Sequence, residues 1–412
     1  MGISQLSGGS VLVRKRWFDK LTMSGRVADR NPLDRRRPGY TNIPRADMLN
    51  ERPSARSVFG QSIRGTMNLD TAEDILQEVR EISEFEGRDL RQWLYREILL
   101  NALKTKRDDL DILDLKVINR TVDEIRYAAR VFKPYRGIRK VSIFGSARIS
   151  EDQPHYELAS RFGRLMAEQG FMAITGAASG IMKAGIDGAG AENSFGVNIL
   201  LPSESLSTVM QDDPKSISFR YFFTRKLFFV MEADACVLFP GGFGTQDEGF
   251  EVLTLLQTGK AQPMPLLLME VPGDNYWEIW DRFIREQLLA RGYISPEDLS
   301  LYKIAHSAEE AVAWIMSYYS TYHSVRQVRG RLVIRLEKDL SMEQMAQLNH
   351  SFADLVKSGE IEKAVALPQE KDEPKLLSKP RISFRNNKRS PGRLNQMILA
   401  INQMGSTVQA DE

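Results

Sequence analysis

Residues 235–248 read Ala-Cys-Val-Leu-Phe-Pro-Gly-Gly-Phe-Gly-Thr-Gln-Asp-Glu, an apolar run that leads directly into a glycine-rich turn. The apolar run predicts a buried strand, and Thr245 is predicted to open the helix that follows. Glycines allow the backbone to turn without a Cβ in the way. Because free N–H groups and the positive end of the helix dipole then converge on one point, the turn predicts a phosphate-binding loop.

The same order of strand, loop and helix repeats along the middle of the chain. Apolar strands are predicted at 141–144, 171–174, 196–200, 235–239, 265–269 and 301–305, and helices at 155–169, 180–190, 218–232, 245–258 and 276–290. Strands rich in Val, Ile, Leu and Phe that alternate with helices are typical of a mostly parallel sheet covered on both faces. The sequence therefore predicts an α/β, Rossmann-like fold whose ligands bind at the carboxyl ends of the strands.

Composition divides the chain into four segments. Residues 1–66 predict a disordered basic tail, since residues 1–65 hold 13 Lys/Arg against 5 Asp/Glu. Residues 67–132 repeat apolar positions every three or four residues, which predicts a helical preface. The Rossmann-like domain is assigned to 133–324 and a small α+β appendage to 325–412. In the appendage, strands are predicted at 331–336, 362–366 and 381–385, and helices at 341–356 and 392–403.

Composition also bears on compartment and partners. The 412-residue chain has a formal net charge of +2, which indicates no particular class of partner. Its single cysteine, Cys236, lies in an apolar run, so a small buried hydrophobe is favoured over a nucleophile. No apolar stretch near the amino terminus is long enough for a signal peptide or a membrane span. We therefore expect a cytoplasmic protein with no membrane partner.

Three loops that follow predicted strands can meet at the carboxyl edge of the sheet. Loop 1 is Phe-Gly-Ser-Ala-Arg at 144–148, loop 2 is Thr-Gly-Ala-Ala-Ser-Gly-Ile-Met at 175–182, and loop 3 is the turn at 240–248. Loop 2 is not the dinucleotide fingerprint Gly-x-Gly-x-x-Gly, and alone it is as typical of a tight turn as of a binding loop. The candidate substrate- and phosphate-binding residues in these loops are Gly145, Ser146, Gly176, Gly180, Met182, Gly241, Gly242, Gly244 and Thr245.

Three charged residues accompany the loops. Arg225 and Lys226 lie near a predicted helix start, where the dipole disfavours cations unless an anionic ligand or a carboxylate faces them. The alternative is that Arg225 and Lys226 are two solvated charges without a functional partner. Glu248 follows Thr245 by three residues, so it could complete a capping box or act on a ligand. Gln would serve the box nearly as well but could not stabilise a developing positive charge, so Glu248→Gln separates the two interpretations.

Together, Pro-Gly-Gly-x-Gly-Thr-x-x-Glu at 240–248, Arg225-Lys226 and Phe-Gly-Ser at 144–146 resemble the LOG ("lonely guy") family, formerly labelled lysine decarboxylase. The resemblance covers about residues 122–320. It implies a Rossmann-like fold, usually dimeric, that hydrolyses nucleoside 5′-monophosphates to a free base and ribose 5-phosphate. It also implies that Arg225 and Glu248 are the catalytic pair, that residues 241–245 hold the phosphate and that Lys226 contributes to substrate binding.

The implied chemistry fits these residue types. Cleavage of an N-glycosidic bond passes through an oxocarbenium-like ribose, which a carboxylate near C1′ can stabilise while it orients or deprotonates water. No cofactor is implied. No metal is expected either, because the four histidines, His155, His306, His323 and His350, show no ligand spacing.

Loop 2 departs from the family pattern. Family members carry Gly-Gly-Gly-x-Gly-Ile/Leu-Met-Glu/Gly, where residues 176–183 of this chain read Gly-Ala-Ala-Ser-Gly-Ile-Met-Lys. The extra Cβ atoms and Lys183 leave open a second hypothesis, a non-catalytic nucleotide or nucleotide-cofactor binding protein that acts as a sensor or carrier. The basic termini carry a third, a nucleic-acid-binding Rossmann protein of the DNA-processing type, although nucleic acid is not the expected partner.

Overall fold

The computed structural model describes residues 72–85, 87, 89–200, 210, 212–387 and 390–407. The predicted basic tail, 1–66, lies outside the described residues. The described chain forms two compact units, residues 72–120 and residues 121–407. The first contains helices α1 (Ala72–Ser83) and α2 (Leu90–Arg107) and the beginning of α3 (Ile112–Phe132), as expected for the helical preface.

The second unit is built on a parallel sheet of seven strands. They are β1 (Lys140–Phe144), β2 (Met172–Thr175), β3 (Ser194–Ile199), β4 (Ser216–Phe219), β5 (Ala235–Leu238), β6 (Leu266–Met269) and β7 (Lys303–Ala305), in the order β4-β3-β2-β1-β5-β6-β7. Every neighbouring pair is parallel. The helices of this layer are α4 (Pro154–Glu168), α5 (Ile181–Ala189), α6 (Phe222–Met231), α7 (Phe243–Gln257), α8 (Tyr276–Phe283) and α9 (Ala308–Tyr318). The predicted α/β, Rossmann-like fold is confirmed.

Alternate residues of the strands β1, β2, β5 and β6 enter two separate apolar cores. In β5, Val237 packs into the core that includes residues of α4, α5 and α9. Its neighbours Cys236 and Leu238 pack into the other core, with residues of α3, α6 and α7. Both faces of the sheet are therefore covered, which explains why its strands are continuous apolar runs. Cys236 is fully buried, as expected for a small hydrophobe.

One strand of this sheet was not predicted. The helix expected over 218–232 begins only at Phe222, and Ser216–Phe219 form β4 instead, at the edge of the sheet. This strand has four residues, and alternate ones are only half-buried. Because the apolar alternation is so short, these residues were assigned to the neighbouring helix.

A smaller antiparallel sheet follows in the same compact unit. Its strands are β8 (Tyr322–Val328), β9 (Arg331–Leu336), β10 (Val356–Lys363) and β11 (Arg381–Asn386), in the order β10-β11-β9-β8, with helices α10 (Met342–Ser351) and α11 (Pro391–Thr407). The α+β appendage is thus present, but β8 was missed. The helix predicted over 341–356 ends at Ser351, and the strand predicted at 362–366 already begins at Val356. Most of β10 is exposed and its register shifts along β11, so it lacks the apolar alternation of a half-buried strand.

Among the described residues, no helix combines the length and the apolar character needed to cross a bilayer.

Candidate active site

Loops 1 and 2 meet at the carboxyl edge of the main sheet. The Ile181 N–H donates to the Ser146 carbonyl at 3.1 Å. Ser179 Oγ donates to the Ala147 carbonyl at 2.8 Å. Gly180 has φ +67°, and a Cβ there would lie 2.3 Å from the Ser146 carbonyl oxygen. Position 180 therefore requires glycine for both its conformation and this close approach.

Two other predicted glycines lie directly against the first turn of α5. A Cβ at Gly145 would come within 2.6 Å of the Ile181 side chain, and a Cβ at Gly176 would lie 2.8 Å from Met182 Sδ. These glycines allow the helix to approach the ends of β1 and β2. Met182, predicted to touch substrate, lies against the Gly176 backbone.

Loop 3 joins loop 1 through its backbone. The Ser146 N–H donates to the Pro240 carbonyl at 3.1 Å. A Cβ at Gly241 would lie 2.1 Å from Thr245 Oγ1 and 3.0 Å from Ser146 N. From the other side, Tyr276 Oη donates to the Gly241 carbonyl at 2.5 Å. The structure thus brings together the three loops that the sequence analysis singled out.

The helix that follows loop 3 begins earlier than predicted. It begins at Phe243 with Gly242 as N-cap, and no side chain caps it. The proposed capping box of Thr245 and Glu248 is therefore wrong. Thr245 lies inside the first turn with its hydroxyl against Gly241, and Glu248, six residues into the helix, cannot reach the N-cap amide. The first-turn N–H groups keep no side-chain partner, so the positive helix end is available to an anion.

The space beside this helix end is open. A Cβ placed on Gly242 or Gly244 would meet no atom within 4 Å, and both glycines are exposed. The packing of the protein itself does not require glycine at either position. Glycine there keeps the backbone N–H groups accessible to a bound group.

Behind loop 3, a buried carboxylate faces two cations. Arg225 Nη2 lies 3.4 Å from Glu248 Oε1, and the two side chains are 14% and 6% exposed. Lys226 Nζ lies 3.8 Å from the other carboxylate oxygen. Burial raises the pKa of Glu248 to about 7, although Lys226 and Arg225 act in the opposite direction. A carboxyl group with such a pKa exchanges its proton near neutral pH, as general acid–base residues do.

Arg225 is held by aromatic rings as well as by Glu248. Its guanidinium carbon lies 5.1 Å from the centre of the Phe222 ring and 5.4 Å from that of Phe229. Burial lowers the pKa of Arg225, while Glu248 opposes this effect. Arg225 Nε is buried and makes no hydrogen bond within the protein. The guanidinium therefore retains donor capacity for an anionic or hydroxylated ligand.

Lys226 is surrounded by carboxylates. Its Nζ lies 2.7 Å from Asp247 and 2.8 Å from Glu251, besides its longer approach to Glu248. Burial alone lowers the pKa of Lys226, but the hydrogen bonds to Asp247 and Glu251 outweigh it and the pKa is raised. The role of Lys226 in substrate binding stays a prediction, and its observed contacts are those of a fixed counter-charge to this acidic cluster.

A residue that the sequence did not indicate, Glu124, supports the helix start before Arg225. Glu124 of α3 is 4% exposed. It accepts hydrogen bonds from the Arg220 N–H at 2.7 Å and from Thr224 Oγ1 at 2.6 Å. These contacts fix the beginning of α6 immediately before Arg225. No local pattern could have indicated this, because an acidic residue on an amphipathic helix normally faces solvent.

Two residues that depart from the family pattern, Ala177 and Lys183, make contacts within the protein. Ala177 has φ +50° and packs, fully buried, against Ile186 and Met210. Lys183 Nζ lies 2.6 Å from Asp187 and 3.0 Å from Glu151, and the hydrogen bond to Asp187 is the largest contribution to the raised pKa of Lys183. The extra methyl thus fills a small core cluster, and the extra charge is neutralised locally.

Part of the chain is similar to a known protein family and to two named plant proteins. The model of a family described as possible lysine decarboxylase matches residues 166–315. The probable cytokinin riboside 5′-monophosphate phosphoribohydrolase LOGL5 of Oryza sativa subsp. japonica is 25% identical over 191 residues, 45% of this chain and 74% of that protein. The cytokinin riboside 5′-monophosphate phosphoribohydrolase LOG1 of Arabidopsis thaliana is 33% identical over 101 residues, 24% of this chain and 46% of that protein. Over this region the chain is similar to the LOG family. The resemblance inferred from loop 3 is thereby confirmed.

Two solved structures also resemble part of the chain. The molybdenum cofactor binding protein of Rippkaea orientalis is 21% identical with a TM-score of 0.31, covering 44% of this chain and 96% of that one. The molybdenum cofactor carrier protein of Chlamydomonas reinhardtii is 18% identical with a TM-score of 0.32, covering 43% of this chain and 96% of that one. The fold of the LOG-related region is established by its own strand order rather than by these superpositions.

Proposed function

We propose that this protein hydrolyses the N-glycosidic bond of nucleoside 5′-monophosphates and releases a free base and ribose 5-phosphate. The observation that carries the proposal is the pair formed by Arg225 and the buried Glu248 directly behind the open helix end of loop 3. Relatives named as phosphoribohydrolases of a nucleoside 5′-monophosphate support it. An anion site next to a buried carboxylate of raised pKa suits a phosphorylated sugar whose anomeric carbon reacts.

The phosphate is assigned to loop 3. The first-turn N–H groups of α7 have no side-chain cap, and Gly242 and Gly244 leave the approach to them open. Tyr276 fixes the loop by its hydrogen bond to the Gly241 carbonyl. A phosphate bound there would be held by backbone donors and by the helix dipole, without a dedicated lysine.

The hydrolytic step is assigned to Glu248. As the bond between C1′ and the base nitrogen breaks, its electron pair leaves with the base and positive charge develops on the ribose ring. The ionised carboxylate stabilises that charge and accepts a proton from the water whose oxygen bonds to C1′. The departing base nitrogen takes up a proton from solvent, and Glu248 releases to solvent the proton that it accepted from the water. Arg225 orients Glu248 and offers its remaining donors to the ribose hydroxyls or the phosphate.

A binding protein without catalysis is the second candidate. The altered loop favours it, because Ala177 and Ala178 add Cβ atoms where the family pattern has glycines, and Lys183 replaces a small or acidic residue. The retained pair of Arg225 and Glu248 favours hydrolysis, since binding alone does not require a buried carboxylate of raised pKa.

Assembly and compartment belong to the same proposal. We expect a cytoplasmic homo-oligomer, at least a dimer, in keeping with the LOG relationship. Phe222, Phe223 and Phe243 are 50%, 55% and 96% exposed. A second copy of the chain would shield such large apolar side chains from water.

The experiment is a substrate panel with the full chain. Purified protein is incubated with purine and pyrimidine nucleoside 5′-monophosphates, and free base and ribose 5-phosphate are quantified by chromatography. The corresponding nucleosides serve as matched controls, because they lack the group that loop 3 is proposed to hold. We expect equimolar base and ribose 5-phosphate from at least one monophosphate and far less base from its nucleoside. If the protein binds a nucleotide tightly but releases no base from any monophosphate, the hydrolase proposal is wrong and the binding protein is supported.

A further inference from the structure

Three potential metal ligands come together at the carboxyl edge of the main sheet, and none is a predicted site residue. Glu270 directly follows β6 and His306 directly follows the adjacent β7, while Glu278 lies in the first turn of α8. One ligand atom from each residue lies within 4.8 Å of the other two. The sequence alone could not show this group, because the parallel pairing of β6 and β7 brings the residues together.

The Glu270 carboxylate is buried and only half satisfied. The side chain has no exposed surface. Its Oε2 accepts a hydrogen bond from the Trp277 N–H at 2.7 Å. Its Oε1 is buried without any hydrogen-bond partner. The His306 Nδ1 atom lies 4.0 Å from this oxygen, too far for a hydrogen bond. A buried carboxylate oxygen left in this state is costly unless a cation satisfies it.

The neighbouring charged groups do not satisfy this oxygen. Asp274 also acts on Glu270, and its carboxylate lies 2.8 Å from His155 Nε2. Burial raises the pKa of Glu270, Asp274 and Glu278 add to that effect, and the Trp277 N–H and His306 oppose it. None of these groups makes a hydrogen bond to Oε1.

We propose that Glu270, Glu278 and His306 bind one divalent first-row transition-metal ion, of the class of Zn²⁺ or Mn²⁺. Two carboxylates and one imidazole suit this class, whereas Ca²⁺ and Mg²⁺ prefer oxygen ligands alone. Ligand atoms around such an ion are roughly 3–3.5 Å apart. The three ligand atoms must therefore move closer to one another by about 1 Å when the ion binds. Glu278 is exposed and His306 partly exposed, which leaves both free to make this movement around the fixed Glu270.

The ion would connect to the nucleotide site through α8. Glu270 already accepts from the N–H of Trp277, and the preceding residue, Tyr276, donates to the Gly241 carbonyl in loop 3. A bound ion would therefore fix the beginning of α8 and the tyrosine that supports loop 3. Its role is to position the loop, and the hydrolytic step does not depend on it.

The experiment measures metal binding directly. The full chain is dialysed against a chelator and titrated with Zn²⁺ and with Mn²⁺ in a calorimeter, together with His306→Gln and Glu278→Gln. His350→Gln and Glu286→Gln are matched controls, because they remove the same chemical groups from exposed positions elsewhere. We expect one ion per wild-type chain, at least about tenfold weaker binding in both site variants and unchanged binding in both controls.

A second measurement guards against misfolded variants. The thermal transition of each metal-free protein is recorded with and without the preferred ion. Because a ligand that binds only the native state stabilises it, the ion should raise the transition temperature of the wild type and of both controls. It should raise that of the two site variants less. The proposal is overturned if the wild type shows no saturable binding, or if both folded site variants bind the ion as the wild type does.

Discussion

Replacing Glu248 by Gln should stabilise the protein above neutral pH, although Glu248 is the residue assigned to catalysis. Its side chain is 6% exposed. Burial raises the pKa of Glu248 from 4.5 to about 7 in the native state. Between these two values the native state holds a proton that the unfolded chain has lost. Stability is therefore lost as the pH rises through this window, and the loss is complete above the native pKa.

The size of the effect follows from the two pKa values. Ionising Glu248 in the native state costs about 3 kcal/mol of folding free energy at high pH. Gln resembles the protonated side chain and avoids this cost. We expect the free energy of unfolding of Glu248→Gln, relative to the wild type, to rise by about 2–3 kcal/mol between pH 5 and pH 8.

Urea denaturation of both proteins at pH 5 and pH 8 measures this difference. Glu309→Gln is the control, because the pKa of Glu309 is lowered by a hydrogen bond to its own backbone N–H and by Arg161. Glu309 is thus ionised in both states across this range, and its substitution should show no such pH dependence. If the difference between Glu248→Gln and the wild type is the same at both pH values, or falls as the pH rises, the argument from burial is wrong. The role of Glu248 as a proton acceptor near neutral pH would then lose its physical basis.

Four other substitutions test the supports of the site. Tyr276→Phe removes the hydrogen bond to the Gly241 carbonyl, so KM for the nucleotide should rise about fivefold with little change in kcat; a lower kcat at unchanged KM would contradict this. Gly244→Ala should fold normally and weaken nucleotide binding at least about tenfold, because a Cβ there meets no atom of the protein. Gly241→Ala should instead lower the thermal transition temperature, because its Cβ would lie 2.1 Å from Thr245 Oγ1. Glu124→Gln should reduce kcat/KM about tenfold, because it weakens the contacts that fix the helix start before Arg225. If the variant shows wild-type kinetics, Glu124 does not position Arg225.

The central strands could be predicted from the sequence because both faces of the sheet are covered by apolar cores. Val237 and its neighbours are buried on both faces of the sheet, so the strand is a continuous apolar run. The edge strand Ser216–Phe219 and the exposed strand Val356–Lys363 carry no such signal. Their pairing partners, rather than their own residues, determine their conformation.

The site was predictable where function depends on local sequence. Gly241 and Glu248 belong to one short segment whose glycines and helix indicate an anion site, and the structure brings Arg225 to that segment. The start of α7 at Phe243 was not predicted, because Gly242 and Thr245 are comparable N-cap residues and only Thr245 has a Glu three residues later, as a capping box requires. The position of Glu124 depends on a contact between residues 96 positions apart, which no periodicity records.

The central claim is that Glu248 acts on the sugar of a bound nucleotide. Its most direct test measures nucleotide binding and base release in parallel for the wild type and Glu248→Gln, with the monophosphate that the wild type cleaves best. We predict that Glu248→Gln binds this nucleotide with a Kd within about threefold of the wild type, while base release falls by about 10²–10⁴-fold. Base release at the wild-type rate by Glu248→Gln would contradict the account.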